Sequence, residues 1–265
     1  MGLSLSSLTS PCSSIDENIE KMIYYPPSRN ADDYSRILNT SRSKLLILKT
    51  KDDKKVSAVQ IRPHYNTHPE KYIVFSHGNG CDIISMFNYC QELSDSLNVG
   101  VMLYDYIGYG ISENEHPTEQ GCYDSIDIVI NYLTTIWGMD KKKIFLVGQS
   151  LGTGITVDYI SKNDWETPVI LISPYKSICR VVADTSCITP VDKFKSQKKL
   201  KNVKCPIKIF HGTIDEVISI SHGIDMYNSL KNKSLDPVWF EDTGHNNIIE
   251  KITKEHYLEV LNFQF

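Results

Sequence analysis

A serine hydroxyl attacks a carbonyl at neutral pH only when a neutral imidazole takes its proton and a carboxylate fixes that imidazole's tautomer. Ser150, His245 and Asp215 offer these three groups. Ser150 stands in "KIFLVGQSLGTG", with Gly148 and Gly152 two residues either side, the spacing of a sharp strand-to-helix turn with a serine at its apex. Those five residues alone leave a nucleophile and an ordinary turn serine equally open. Asp215 follows in "HGTIDEV" and His245 in "EDTGHNN". Glu216 competes for the acid's place, but reads as a solvated or helix-start charge. Of the eight histidines, His77, His211 and His245 lie where strands end; His77 and His211, each followed by glycine, read as turn or sheet-end residues. An attacked carbonyl also needs N–H donors where its oxyanion forms. The backbone N–H of Leu151, directly after the serine, and that of Asn79 in "SHGNG" are the candidates.

Buried strands must position these groups. Strand-like apolar runs occur at Leu45–Leu48, Val56–Ile61, Tyr72–Phe75, Val99–Tyr104, Ile144–Val147, Val169–Ile172, Ile207–Phe210 and Val238–Phe240. Helical segments are expected at Asp82–Leu97, Glu119–Trp137, Gly154–Ser161, part of Asp184–Leu200, Ser219–Leu230 and Asn247–Phe263. Alternating strands and helices predict a mostly parallel sheet covered on both faces. The polar "KTKDDKK" joins the first two runs as a hairpin, so the sheet starts antiparallel. In such a sheet chemistry collects at the carboxyl ends of the strands, and Ser150, Asp215 and His245 each sit just past one. Their order along the chain, Ser then Asp then His, is the α/β-hydrolase order. The stretch His77-Gly78-Asn79-Gly80 alone reads as a glycine-rich turn; five strand ends carrying suitable chemistry in the right order favour a nucleophile at Ser150.

Composition narrows the class further. With 41% hydrophobic and 23% charged residues, the 265-residue chain can bury a sizeable core and is not a disordered segment. A net charge of −4 gives no electrostatic reason to expect nucleic acid. Seven cysteines without CxxC pairs or metal-ligand spacing read as reduced thiols, with Cys81 structural and no metal or other cofactor expected. No run approaches the length of a membrane span, and the start lacks a secretory signal pattern. The lysines in "KFKSQKKLKNVKCPIK" read as a solvated helix face, on the side away from the chemistry. One domain over residues 25–265, preceded by a leader at 1–24, is the expected organisation, and a monomer the expected state.

The segments "SHGNG", "YDYIGYGIS", "GQSLGTG", "ISPYKS", "HGTIDEVISISHG" and "GHNN" together closely resemble the α/β-hydrolase-domain-17 group, serine hydrolases that remove palmitate from S-acylated proteins. The likeness runs from about "YYPPS" near residue 25 to the C-terminus, and "HGTIDEVISISHG" is its most specific part. It implies an α/β-hydrolase fold, in which the eight runs form a mostly parallel eight-stranded sheet, and the short span from Pro174 to Pro206, which must fit a helix and its connections, leaves room for only a short cap and an open site. It also implies Ser150 as nucleophile, His245 as base and Asp215 as acid, acting on an acyl thioester or ester carried by a protein. The sequence departs from the group in two places: only Cys12 falls in the first eighty residues, where the group has a cysteine-rich palmitoylated start, and Ile178–Val203 follows the pattern poorly. A small-ester carboxylesterase or monoacylglycerol lipase, and a non-catalytic hydrolase-fold scaffold, are the alternative readings.

The leader "MGLSLS" matches the myristoylation pattern at Gly2, and Cys12 is a candidate for palmitoylation. Ser14–Glu17 opens a short amphipathic helix with Ile15, Ile19, Met22 and Ile23 on one face, either packed on the domain or part of a membrane leader. The expectation is a cytoplasmic protein with peripheral contact to the cytosolic side of membranes.

Overall fold

The computed structural model describes residues 23–29, 32–34, 40–182 and 192–264. Gly2, Cys12 and the helix expected from Ser14 lie outside the described residues. Eight strands form one sheet: β1 (Ser43–Lys49), β2 (Lys55–Ile61), β3 (Tyr72–Ser76), β4 (Gly100–Tyr104), β5 (Ile144–Gln149), β6 (Val169–Ile172), β7 (Ile207–Gly212) and β8 (Val238–Phe240). Their order is β1-β2-β4-β3-β5-β6-β7-β8. β2 runs antiparallel to β1 and to β4, and all other neighbours are parallel. The β1–β2 hairpin pairs Ser43 with Ile61 and Lys49 with Lys55, closing where Asp53 takes φ 62°.

Both faces of the sheet are covered, which is why β3, β4, β5 and β6 read as nearly continuous apolar runs rather than alternating ones. Tyr72 and Val74 of β3 pack on one side, and Ile73 and Phe75 on the other. Helices α1 (Ile83–Leu97) and α8 (Lys254–Leu261) cover the second side through residues such as Phe87, Leu93 and Tyr257. On the first side α2 (Glu119–Asn131), α3 (Leu151–Lys162) and α6 (Ile220–Asn228) bury Val129, Ile155 and Met226. Ile23 and Tyr24, at the end of the expected leader, also pack into this core. Among the described residues, the connection from β6 to β7 carries two short α-helices, α4 (Ile178–Val182) and α5 (Ser196–Lys199), the second continuing into a 3-10 turn at Leu200–Asn202. Its Phe194 is fully buried against Tyr123 and Tyr175.

Several boundaries differ from expectation for identifiable reasons. α1 starts at a reciprocal cap between Asp82 and Ser85. α2 ends at Asn131 and continues as a π-turn, Tyr132–Ile136, before Gly138 at φ 67°. The single helix expected over Asn247–Phe263 is two, α7 (Ile248–Lys251) and α8, because a Thr253–His256 cap starts a new helix. The lysine run is also not a uniformly solvated face. Lys199 Nζ donates to Asp158 Oδ1 at 2.6 Å and to Tyr123 Oη at 2.7 Å, while the buried Lys208 pairs with Glu259 at 2.7 Å.

Candidate active site

The carboxyl ends of β3, β5, β6, β7 and β8 open on one edge of the sheet, since these strands are mutually parallel. Ser150, between β5 and α3, adopts φ 49° and ψ −117°, a conformation that side-chain-bearing residues rarely take and that costs on the order of 1–3 kcal/mol. Tight packing holds it there: a Cβ at Gly148 would fall 2.6 Å from Gly152 O, and one at Gly152 would fall 2.0 Å from Ser76 O. The flanking glycines therefore let α3 sit directly on the end of β3. Although Ser150 occupies the N-cap position of α3, its hydroxyl makes no capping bond. It turns instead to His245, whose Nε2 lies 3.1 Å from Ser150 Oγ.

The opposite ring nitrogen, Nδ1 of His245, lies 2.8 Å from Asp215 Oδ2. Asp215 is buried and its acceptor sites are filled. Oδ1 receives the N–H groups of Val217 at 3.0 Å and Ile218 at 2.7 Å, and Oδ2 also receives Ser173 Oγ at 3.0 Å. With Oδ2 facing it, Nδ1 of His245 carries the proton and Nε2 is left as the acceptor for the serine. Burial works against the charge on Asp215, but the polar N–H of His211 beside it and hydrogen bonds from His245 and Ile218 outweigh it and hold the carboxyl well below the usual carboxylate range. His211 Nε2–H is 2.8 Å from Ile218 O and 3.4 Å from Asp215 Oδ2, so it donates chiefly to the carbonyl and steadies the carboxylate by its polarity. Glu216 is exposed, as expected, yet it accepts the backbone N–H of His245 at 3.3 Å and so helps seat the histidine loop.

The loop after β3 lies against the serine: a Cβ at Gly78 would stand 3.6 Å from Ser150 Cβ. Neither the backbone N–H of Asn79 nor that of Leu151 meets an acceptor among the described residues. His77 is fully buried, stacked 4.3 Å from the Tyr106 ring with Nε2 3.5 Å from Asp105 Oδ1, so it belongs to the support of this loop. Cys81 is partly buried, and burial pushes its thiol above the ordinary value, as suits a structural cysteine. Among the described residues, no cluster of three or more His, Cys, Asp or Glu could hold a metal ion.

Comparison with known proteins places this geometry in a family. The chain is 52% identical over 263 residues to the protein named α/β hydrolase L404 of Acanthamoeba polyphaga mimivirus, covering 99% of each. It belongs to the α/β-hydrolase family. The hydrolase family model described as serine aminopeptidase, S33 matches residues 67–194 of this α/β hydrolase. The resemblance to the domain-17 group also holds: the human α/β hydrolase domain-containing protein 17C is 40% identical over 177 residues, 66% of this chain and 53% of that protein. The hydrolase thus spans about half the length of that relative. Among solved structures, the α/β hydrolase from Vibrio vulnificus superposes with a TM-score of 0.74 at 16% identity, covering 97% of this chain and 95% of that one.

Ser173 and His211 are the members of this site whose contacts the sequence did not disclose. Ser173 follows β6 at φ 49°, and its only sequence signal is a serine just past a strand end, in "ISPYKS". Its contribution is testable through pH. Because the folded carboxyl of Asp215 titrates below its ordinary value of about 3.9, the stability it contributes is complete above that value and is lost as pH falls through the lower, folded one. Ser173→Ala removes a donor, raises the folded value and moves the loss to higher pH. The expected result is acid unfolding at a higher midpoint than in the unaltered hydrolase, with kcat at neutral pH reduced by roughly tenfold or less. Denaturation followed across the acid range and steady-state rates measure the two.

Proposed function

We propose that this α/β hydrolase is a serine hydrolase that cleaves acyl thioesters and esters, with S-acylated proteins as its substrates. The observation that carries the reading is the unbroken chain of contacts from Ser150 Oγ through His245 to Asp215 Oδ2, at 3.1 and 2.8 Å. In the reaction, Nε2 of His245 takes the serine proton as Oγ attacks the acyl carbon. The oxyanion is met by the N–H groups of Leu151 and Asn79; as the intermediate collapses, the acyl C–S or C–O bond breaks and the imidazolium gives its proton to the departing sulfur or oxygen, leaving an acyl-serine and a neutral imidazole. Water, activated by the same imidazole, hydrolyses the acyl-serine. A thiolate of ordinary pKa, about 8.5, leaves readily, so thioesters and oxyesters suit this site better than amides. Ile214 and Val217, which flank Asp215, are 60% and 49% exposed, an apolar border beside the chemistry that suits a long acyl chain.

The substrate class within this reading rests on the domain-17 resemblance, and the N-terminus extends it to location. Myristate on Gly2 gives reversible attachment only, and palmitate on Cys12 would supply the second signal for residence at the cytosolic face of a membrane. No helix among the described residues is long and apolar enough to cross a membrane.

The test is fluorophosphonate labelling followed by hydrolysis of matched thioester, oxyester and amide substrates. Palmitoyl-cysteine peptides are expected to exceed butyryl nitrophenyl esters in kcat/KM by about a hundredfold, the gain from burying only about three or four of the palmitoyl chain's roughly twelve extra methylenes at ~0.8 kcal/mol each. A preference for short esters with no turnover of palmitoyl-cysteine moves the reading to a small-ester carboxylesterase; no labelling and no turnover leaves a hydrolase-fold scaffold.

A further inference from the structure

The side chain of Asn79 does not reach for substrate. Its Nδ2 donates to Ile23 O at 2.6 Å, and its Oδ1 accepts the N–H of Tyr25 at 3.0 Å and the hydroxyl of Tyr109 at 2.6 Å. Both faces of the amide are thereby committed, two of the three bonds going to backbone more than fifty residues earlier in the chain. The same N-terminal stretch holds the loop's far end. Arg29 Nε donates to Asp82 Oδ2 at 2.8 Å, and Asp82 is the residue that caps α1. It also reaches the support behind the loop. Tyr34 Oη donates at 2.5 Å to Asp105 Oδ2, on the carboxylate whose other oxygen accepts the first N–H of α1, from Ile83, at 2.8 Å. Tyr24 adds an edge-on contact to Phe194, 6.4 Å between ring centres, in the β6–β7 connection.

We propose that the described residues of Ile23–Tyr34 form a clasp that positions the oxyanion loop, with Asn79 and Arg29 as positioning residues and the backbone N–H of Asn79 as the group they aim. The inference deepens the serine-hydrolase reading and rests on it. Its physical basis is that a loop carrying an oxyanion donor needs its orientation set before reaction, because a donor misplaced by about 1 Å forfeits much of its effect. Glycines at 78 and 80 give the loop little stiffness of its own. Arg29 and Asp82 bind the clasp at one end of the loop and Asn79 at its middle, so releasing either contact loosens the other.

A double-mutant cycle in the full chain tests this. Asn79→Ala keeps the backbone N–H but removes the amide; it is expected to lower kcat by about tenfold with KM changed by less than about twofold. Fluorophosphonate labelling should slow by a similar factor and reach the same final extent. Arg29→Ala, which does not touch the loop's backbone, should lower kcat by about threefold, and the double variant should be no worse than Asn79→Ala alone, since one clasp is released only once. Unaltered kcat in Asn79→Ala, or losses that multiply in the double variant, overturns the clasp. Amide hydrogen exchange reads the same contact without turnover: peptides spanning 77–82 should exchange faster in both single variants, and unchanged protection overturns the clasp even in a chain that hydrolyses nothing. Faster exchange in the variants together with no turnover in the unaltered chain sustains the clasp and fails the hydrolase reading alone.

Discussion

Ser150→Ala is expected to abolish fluorophosphonate labelling and to lower kcat by about a millionfold, the scale seen when one member of such a cooperating unit is removed. His245→Ala should cost about as much, and the double variant little more, because without the base the hydroxyl is not activated and without the hydroxyl the base has no task. Asp215→Asn is the more informative change. Val217 and Ile218 donate N–H groups to Oδ1, so an amide there must keep its oxygen toward them and turn its NH2 to the position of Oδ2. That NH2 faces Nδ1 of His245, 2.8 Å away in the unaltered chain. It donates to Nδ1, puts the ring proton on Nε2, and leaves nothing to accept the proton of Ser150. Turnover should fall by about ten-thousandfold while folding survives, since Ser173 Oγ can still meet the amide. Near-normal turnover in Ser150→Ala would end the mechanism.

All eight strands were legible in the sequence, because each inner strand is an apolar run short enough for the sheet and bounded by turn residues. What could not be read there was which strand ends become neighbours. Ser173 meets Asp215 only because β6 lies beside β7, and the chain's linear order does not say so. The partner of Asn79 was hidden for the same reason, as Ile23 and Tyr25 precede the first strand and carry no pattern that points to a loop after the third. His77 and His211 read as ordinary turn histidines by their following glycines, whereas the complete burial of His77 comes with Tyr106 stacked on it and that of His211 with Gly223 of α6 packed against its ring. The start of α3 differs for another reason. The helix expected from Gly154 begins at Leu151, although Gly152 and Gly154 both lower helix propensity. Packing overrides propensity there, and the same packing explains why the glycines are present.

That packing yields the second large prediction. A Cβ at position 152 would stand 2.0 Å from Ser76 O and 2.9 Å from His77 O, both backbone atoms at the end of β3, where no side chain can rotate away. Gly152→Ala must therefore push the first turn of α3 off the sheet or displace the β3 loop. Overpacking of this severity is expected to cost about 3 kcal/mol, a fall in Tm of roughly 5–10 °C for a chain of this size. Function should suffer more than stability, because Ser150 and Leu151 ride on the displaced turn and the Asn79 loop sits on the other side of the clash. A shift of about 1 Å there is expected to lower kcat by roughly a hundredfold. Gly80→Ala is the control within the same region: a Cβ at Gly80 meets nothing within 4 Å, so Tm should hold and the glycine count alone is shown to be irrelevant. Thermal unfolding and turnover of the two variants side by side decide the matter, and a Gly152→Ala chain with unaltered Tm and kcat would mean that α3 is not seated on β3 as described.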